Sequence, residues 1–136
     1  MNNLLLFDNK TLQKKYDYLA PDGSEIRLFP DMKAGGLCHC TLPPFRVSRT
    51  IYHMSVEEIW YFISGNGRIW RKQGAKESVI EVGSGVCVTI PPKTYFQFRN
   101  DGVEALTFII ATMPPWPGKE GAIEVSNYWK TKNNNQ

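Results

Sequence analysis

Only two histidines and three cysteines occur in the chain, so the side chains able to exchange protons near neutral pH or to hold a soft ion are few. His53 precedes Glu58 by five residues in the run HMSVEE. A buried carboxylate beside an imidazole raises the imidazole pKa and orients one ring nitrogen, leaving the other free to move a substrate proton. His53 and Glu58 are therefore the candidate catalytic pair; the plainer reading is a hydrogen-bonded pair without a reaction. Glu57 has the opposite parity and is expected to face solvent. Cys38-His39-Cys40 invites an ion, but on a strand the two thiols share one face and His39 takes the other, so the three cannot close on one ion unaided. Cys38 and Cys40 read instead as small buried hydrophobes, and Cys87, inside VCVTI, as a core residue. Arg46, Arg49 and Arg68 carry the fork geometry that grips carboxylate or phosphate. Of these, only Arg49 shares the parity of His53.

The elements that must position these groups are strands. Short apolar or alternating runs are separated by Gly, Pro, Asn and Asp, and no long amphipathic helix is readable. Strands are expected at 24–29, 36–42, 46–53, 58–63, 67–72, 77–82, 85–90, 95–100 and 105–112, with a short helix near 10–17. Gly65-Asn66-Gly67 and Asn100-Asp101-Gly102 read as hairpin turns. Strands without covering helices must bury their apolar faces by sandwiching or by closing into a barrel, so the class is all-β. Prolines at 114, 115 and 117 lack amide donors and should stop the last sheet strand near Met113. Beyond it, Val125 to Trp129 is expected to pack back, and residues 130–136 to form a frayed tail.

Composition sets outer bounds. With 136 residues, 42% hydrophobic and 21% charged, the chain is one globular domain, 1–136, with a core over about 24–113 and a Pro-rich extension over 114–136. The net charge of +3 comes from scattered basic residues, unlike the basic stripe that nucleic acid binding needs. Three cysteines, an odd number, suit a reducing compartment. The start MNNLLLF lacks the pattern of a signal peptide, and no run approaches membrane length. A cytoplasmic protein with neither a nucleic acid nor a membrane partner is expected.

The chain resembles the cupin superfamily, whose motifs read G-x5-H-x-H-x(3,4)-E-x6-G and G-x5-P-x-G-x2-H-x3-N. His53, Glu58 and Gly65 match the first in HMSVEEIWYFISG, and Gly85, Pro91 and Asn100 match the second in GVCVTIPPKTYFQFRN. The resemblance implies a cupin-type, double-stranded β-helix or jelly-roll antiparallel barrel with a small-molecule pocket. Ile51 and Phe96 stand where the family has its first and last metal-binding histidines, and Phe45 and Lys93 replace two motif glycines. The family's three-His, one-Glu ion site is thus reduced to His53 and Glu58, which implies a weak or absent divalent metal. If His53 points inward, alternation brings Ile51 and Arg49 with it, Glu58 brings Trp60 and Phe62, and Phe96 brings Phe98, while Gln97 faces outward. Arg49, Ile51, Trp60, Phe62, Phe96 and Phe98 are therefore the candidate substrate-binding residues. Three activities fit: a metal-poor or metal-free acid/base enzyme of isomerase, epimerase or lyase type; a ligand-binding or sensing module; and a metal-dependent oxygenase or isomerase in which water, Gln97 or substrate completes the ligand set. The resemblance also implies a homodimer, with LLLF and MPPWP as edge material.

Overall fold

The computed structural model describes residues 6–117 and 121–131. Residues 1–5, which hold part of LLLF, and 132–136, most of the expected tail, lie outside the described residues. Among the described residues eleven strands follow one another: β1 (Tyr18–Leu19), β2 (Glu25–Asp31), β3 (Gly36–Leu42), β4 (Thr50–His53), β5 (Glu57–Ser64), β6 (Asn66–Gln73), β7 (Lys76–Gly83), β8 (Cys87–Ile90), β9 (Tyr95–Asn100), β10 (Leu106–Met113) and β11 (Ala122–Val125). They form a six-stranded sheet, β1-β2-β3-β10-β5-β8, and a five-stranded sheet, β11-β4-β9-β6-β7. The two antiparallel sheets pack face to face as a jelly roll; their edges are not hydrogen-bonded into a closed barrel.

Alternation explains the faces. In β5 and β10 every second residue is buried, which sends Glu58, Trp60 and Phe62 inward with Phe108, Ile110 and Thr112. The core closes around Trp60, whose ring stacks on Phe108 at 4.8 Å and meets Phe98 and Phe96 edge-on at 5.2 and 5.4 Å. Such aromatic geometry adds to the burial of large apolar area. On β8 the same rule buries Val88 and Ile90, so Cys87 is exposed and is not the core residue its apolar surroundings suggested.

Three local expectations are overturned. The turns at Gly65 and at 100–102 are not hairpins: each carries the chain from one sheet to the other, since β5 pairs with β8 and β10 while β6 pairs with β7 and β9. Gly65 (φ 95°) is required there, because a Cβ would lie 2.7 Å from the Ala105 carbonyl oxygen. No helix forms over 10–17. The Arg27 guanidinium instead binds the carbonyls of Gln13 and Lys14, and Asp17 accepts the Leu28 amide, tying this segment to β2. The strand expected at 46–53 shrinks to Thr50–His53, with Val47 making a lone bridge to Arg99.

The extension after β10 packs back as expected, and β11 pairs with β4. Gln97 does point away from Phe96, yet it is fully buried rather than solvated. Its amide donates to the Ser48 and Trp129 carbonyls and accepts the Trp129 amide, while Asn127 receives the Thr50 amide and hydroxyl. The chain end is thus fastened across the outer face of the five-stranded sheet.

Candidate functional site

A cavity of about 510 Å³ opens between the sheets, above Trp60. The five-stranded sheet supplies Ile51 and His53 from β4 and Phe96 from β9; the six-stranded sheet supplies Glu58 and Trp60 from β5 and Ile110 and Thr112 from β10. Tyr18, Asp22, Asp31 and Cys38 come from β1 to β3 and the turn between β1 and β2, and Trp116 closes over the rim. The walls are mostly apolar with a few polar groups, the usual make-up of a small-molecule site.

The central pair is His53 and Glu58. His53 is 3% exposed, its ring lies 5.3 Å from Phe96 and 5.2 Å from Trp116, and its Nδ1 is buried without a hydrogen-bond partner. Nδ1 stands 4.0 Å from Glu58 Oε1, which accepts the Trp60 indole N–H at 2.9 Å. Burial pushes the Glu58 carboxyl up to about 8, only partly opposed by the Trp60 hydrogen bond and reinforced by the nearby Asp22 charge. Burial also pushes His53 down to about 4. The spacing is that of an ion pair, but desolvating two ions costs more here than their attraction returns, and both groups are neutral at pH 7. The expectation that a carboxylate would raise the imidazole pKa is therefore corrected: a protonated carboxyl has no charge with which to do so.

The remaining polar groups form the outer wall. Asp22 Oδ1 accepts the Ser24 amide and hydroxyl at 2.8 and 2.6 Å, and burial raises its pKa. Tyr18 is a neutral phenol, pushed up to about 12 first by burial and then by neighbouring Cys38 and Cys40. Those two are free thiols 3.7 Å apart, with Cys38 in the cavity wall and Cys40 buried behind it. His39 lies on the opposite face, so the CHC run does not converge, as the strand period requires.

Of the candidate residues, the structure brings His53, Glu58, Ile51, Trp60 and Phe96 to one cavity. Arg49 is corrected: β4 starts only at Thr50, so the period-two rule does not reach residue 49. Its exposed guanidinium binds the Pro21 carbonyl at 3.2 Å and lies 3.8 Å from Glu124. Phe62 and Phe98 have the right parity but sit in the core beyond Trp60, outside the cavity lining. Gln97, held by the chain end on the far side of β9, cannot complete an ion site beside His53. MPPWP places Trp116 and Pro117 on the cavity rather than on a sheet edge. Tyr18, Asp22, Asp31, Cys38, Thr112 and Trp116 were not foreseen. Alternation along β3 and β10 carried a signal for Cys38 and Thr112; Asp31 ends β2 beyond a shift in its register with β3, and the others sit in turns or short segments where periodicity is silent.

The ion of the family's full three-His, one-Glu site does not fit the residues present. Ile51 and Phe96, each 1% exposed, face each other across β4 and β9 at two of the four ligand positions. Among the described residues no three His, Cys, Asp or Glu side chains are grouped to hold a metal. Nor is any described helix long and apolar enough to cross a membrane.

Comparison with known proteins agrees with this architecture. The family described as Cupin domain matches residues 38–112. An uncharacterized protein of Methanocaldococcus jannaschii is 28% identical over 123 residues, covering 84% of this chain and 95% of that one. Among solved structures, the nucleoside dehydratase Pac13 superposes with a TM-score of 0.68 at 10% identity, over 89% of this chain and 92% of its own; a Streptomyces Pac13 variant was solved with uridine. The capsular polysaccharide assembling protein CapF of Staphylococcus aureus gives a TM-score of 0.65 at 16% identity, over 76% of this chain and 32% of CapF. A Klebsiella pneumoniae protein with a double-stranded β-helix domain gives 0.62 at 17% identity, over 82% of this chain and 93% of its own. At these identities the solved structures speak for the fold.

Proposed function

Since the chain belongs to the cupin family, we propose that its cavity is the active site of an enzyme that moves protons without a metal, of lyase, isomerase or epimerase type. The observation that carries this reading is the unpartnered His53 Nδ1, 4.0 Å from a carboxyl group with a pKa near 8. Around neutral pH the imidazole is a free base and Glu58 a loaded acid, the complementary states that a paired proton transfer needs. In a dehydration, the His53 imidazole takes the proton from carbon while Glu58 gives its proton to the departing hydroxyl, which leaves as water. The imidazolium and carboxylate so formed return to the starting state by passing one proton from His53 to Glu58. In an isomerisation the same two transfers give an enol, and the product forms when the imidazolium returns its proton to carbon and the Glu58 carboxylate takes one from an enol oxygen. Each transfer is worth about 10²- to 10⁴-fold in rate. A nucleoside dehydratase of similar fold supports this class of reaction by analogy only.

The test is to incubate the protein with nucleosides and hydroxylated carbonyl compounds, follow loss of water or isomerisation by mass spectrometry, and repeat with His53→Ala. Turnover that falls by at least about 100-fold is the expected result; wild-type turnover in the variant rules the proposal out. A second reading, a binding or sensing module, is favoured by the largely apolar walls. An intact compound copurifying with the protein, seen by native mass spectrometry and not converted, supports it.

A partner and a location go with the active-site reading. The outer face of the six-stranded sheet exposes Ile59, Tyr61 and Ile63 in a row on β5, which supports a homodimer through that face; a monomer by sedimentation at micromolar concentration removes it. Three unbridged cysteines support a reducing, cytoplasmic location.

A further inference from the structure

Charge along the cavity wall carries an inference about what enters it. Among the described residues, three carboxyl groups line the cavity, graded from the buried Glu58 through the half-buried Asp22 to the exposed Asp31. No lysine or arginine among the described residues lines it. The nearby guanidinium, Arg49, does not line the cavity; it binds the Pro21 carbonyl, lies 3.8 Å from Glu124 and acts on Asp22, so its one positive charge is already shared by two carboxyl groups. Asp31 packs its carboxyl against Gly36, in space that a Cβ at that position would take. The interior also holds a polar atom that waits for a donor, the His53 Nδ1 without a partner in a side chain 3% exposed. Trp116, Trp60, Phe96 and Tyr18 add aromatic surface.

We infer that this cavity takes an uncharged or cationic organic molecule that presents amine or hydroxyl donors on a flat apolar body, and that it rejects anions. A phosphate or carboxylate would be desolvated beside Asp22 and Asp31 with no cation among the described lining residues to meet it, in surroundings where Coulomb repulsion is weakly screened. An ammonium group finds carboxyl oxygens and aromatic faces together, the combination that holds organic cations elsewhere. A hydroxyl donor finds the same acceptors and the free imidazole nitrogen. Phosphorylated metabolites and nucleotide sugars are thereby excluded, whereas free nucleosides, polyols and amines are admitted. This inference rests on the reading that the cavity is the functional site.

The experiment uses the full-length protein and three compounds that share a ring and differ in charge: 2-phenylethylamine, 2-phenylethanol and 3-phenylpropionate. Each is titrated while the indole N–H signals of Trp116 and Trp60 are followed by NMR, with assignments from Trp116→Phe and Trp60→Phe. The expected order is amine, then alcohol, then carboxylate, with at least about a 10-fold gap between the first and last. Asp31→Asn, at an exposed site, should narrow that gap, and adding Asp22→Asn should narrow it further to about 3-fold or less. Carboxylate binding as tight as the amine overturns the inference, as does the absence of any shift with all three at about 10 mM. His53→Ala, which decides the proposed reaction, leaves the charge ranking intact if only the catalytic reading is wrong. Failure of the ranking with turnover still dependent on His53 isolates this inference as the one at fault.

Discussion

Replacing Glu58 by glutamine should change how stability responds to pH, and the size of the change follows from the site. In the folded protein the Glu58 carboxyl holds its proton to about pH 8; its ordinary value is 4.5. An acid whose pKa is raised by folding contributes stability fully below its unfolded pKa and loses that contribution as pH rises through the folded one. His53, lowered from 6.5 to about 4, acts in the other direction: its contribution is present above pH 6.5 and is lost as pH falls. Between pH 4.5 and 6.5 the two slopes oppose each other, whereas from pH 6.5 to 8 Glu58 acts without His53. At about 1.36 kcal/mol for each pH unit and proton, that window costs the wild type about 2 kcal/mol. Glu58→Gln keeps an acceptor for the Trp60 indole and cannot ionise, so it avoids this loss. Urea unfolding of both proteins at pH 6.5 and 8 measures the difference; in thermal melts it corresponds to about 5–10 °C for a chain of this size. Parallel pH profiles for wild type and variant would refute the claim that burial keeps this carboxyl protonated.

The same two groups set the expected pH profile of turnover. With the base neutral above about 4 and the acid protonated below about 8, kcat/KM should be bell-shaped with limbs near those values, and a single limb near pH 6.5 would exclude this assignment of roles. Phe45 and Lys93, at φ 61° and 62°, hold the left-handed conformation of the glycines they replace in the motif. Lys93→Gly should therefore raise stability by about 0.5–1 kcal/mol in urea unfolding. Gln97→Ala removes three hydrogen bonds that fasten the chain end and leaves buried groups unpaired; it should cost about 2–3 kcal/mol and speed proteolysis after residue 121.

Much of the fold can be read locally, because a strand's period is a property of adjacent residues. The bounds of β3 and β9 match those expected, β10 stops at Met113 ahead of the prolines, and the parity of Glu58, Trp60 and Phe96 holds. The cupin resemblance likewise foresaw that Ile51 and His53 would share an interior. Sequence spacing could not say where a strand begins, and the irregular backbone at Ser48 and Arg49, just before Thr50, was enough to turn Arg49 out of the cavity. It could not say how deep an inward residue lies, which separates Trp60 from Phe62 and Phe98. Nor could it say which sheet a turn feeds, since the Gly65 and Asn100 turns look the same whether the chain folds back or crosses over.

Protonation was the largest matter left to tertiary structure. His53 and Glu58 are charged or neutral according to how much water their neighbours exclude, and those neighbours come from β1 to β5, β9, β10 and the segment at Trp116. The residue types and their period along each strand were written in the chain itself. The cavity's depth, its acidic wall and the neutral state of its central pair arose only when distant segments were packed together, because solvation depends on everything that surrounds a group.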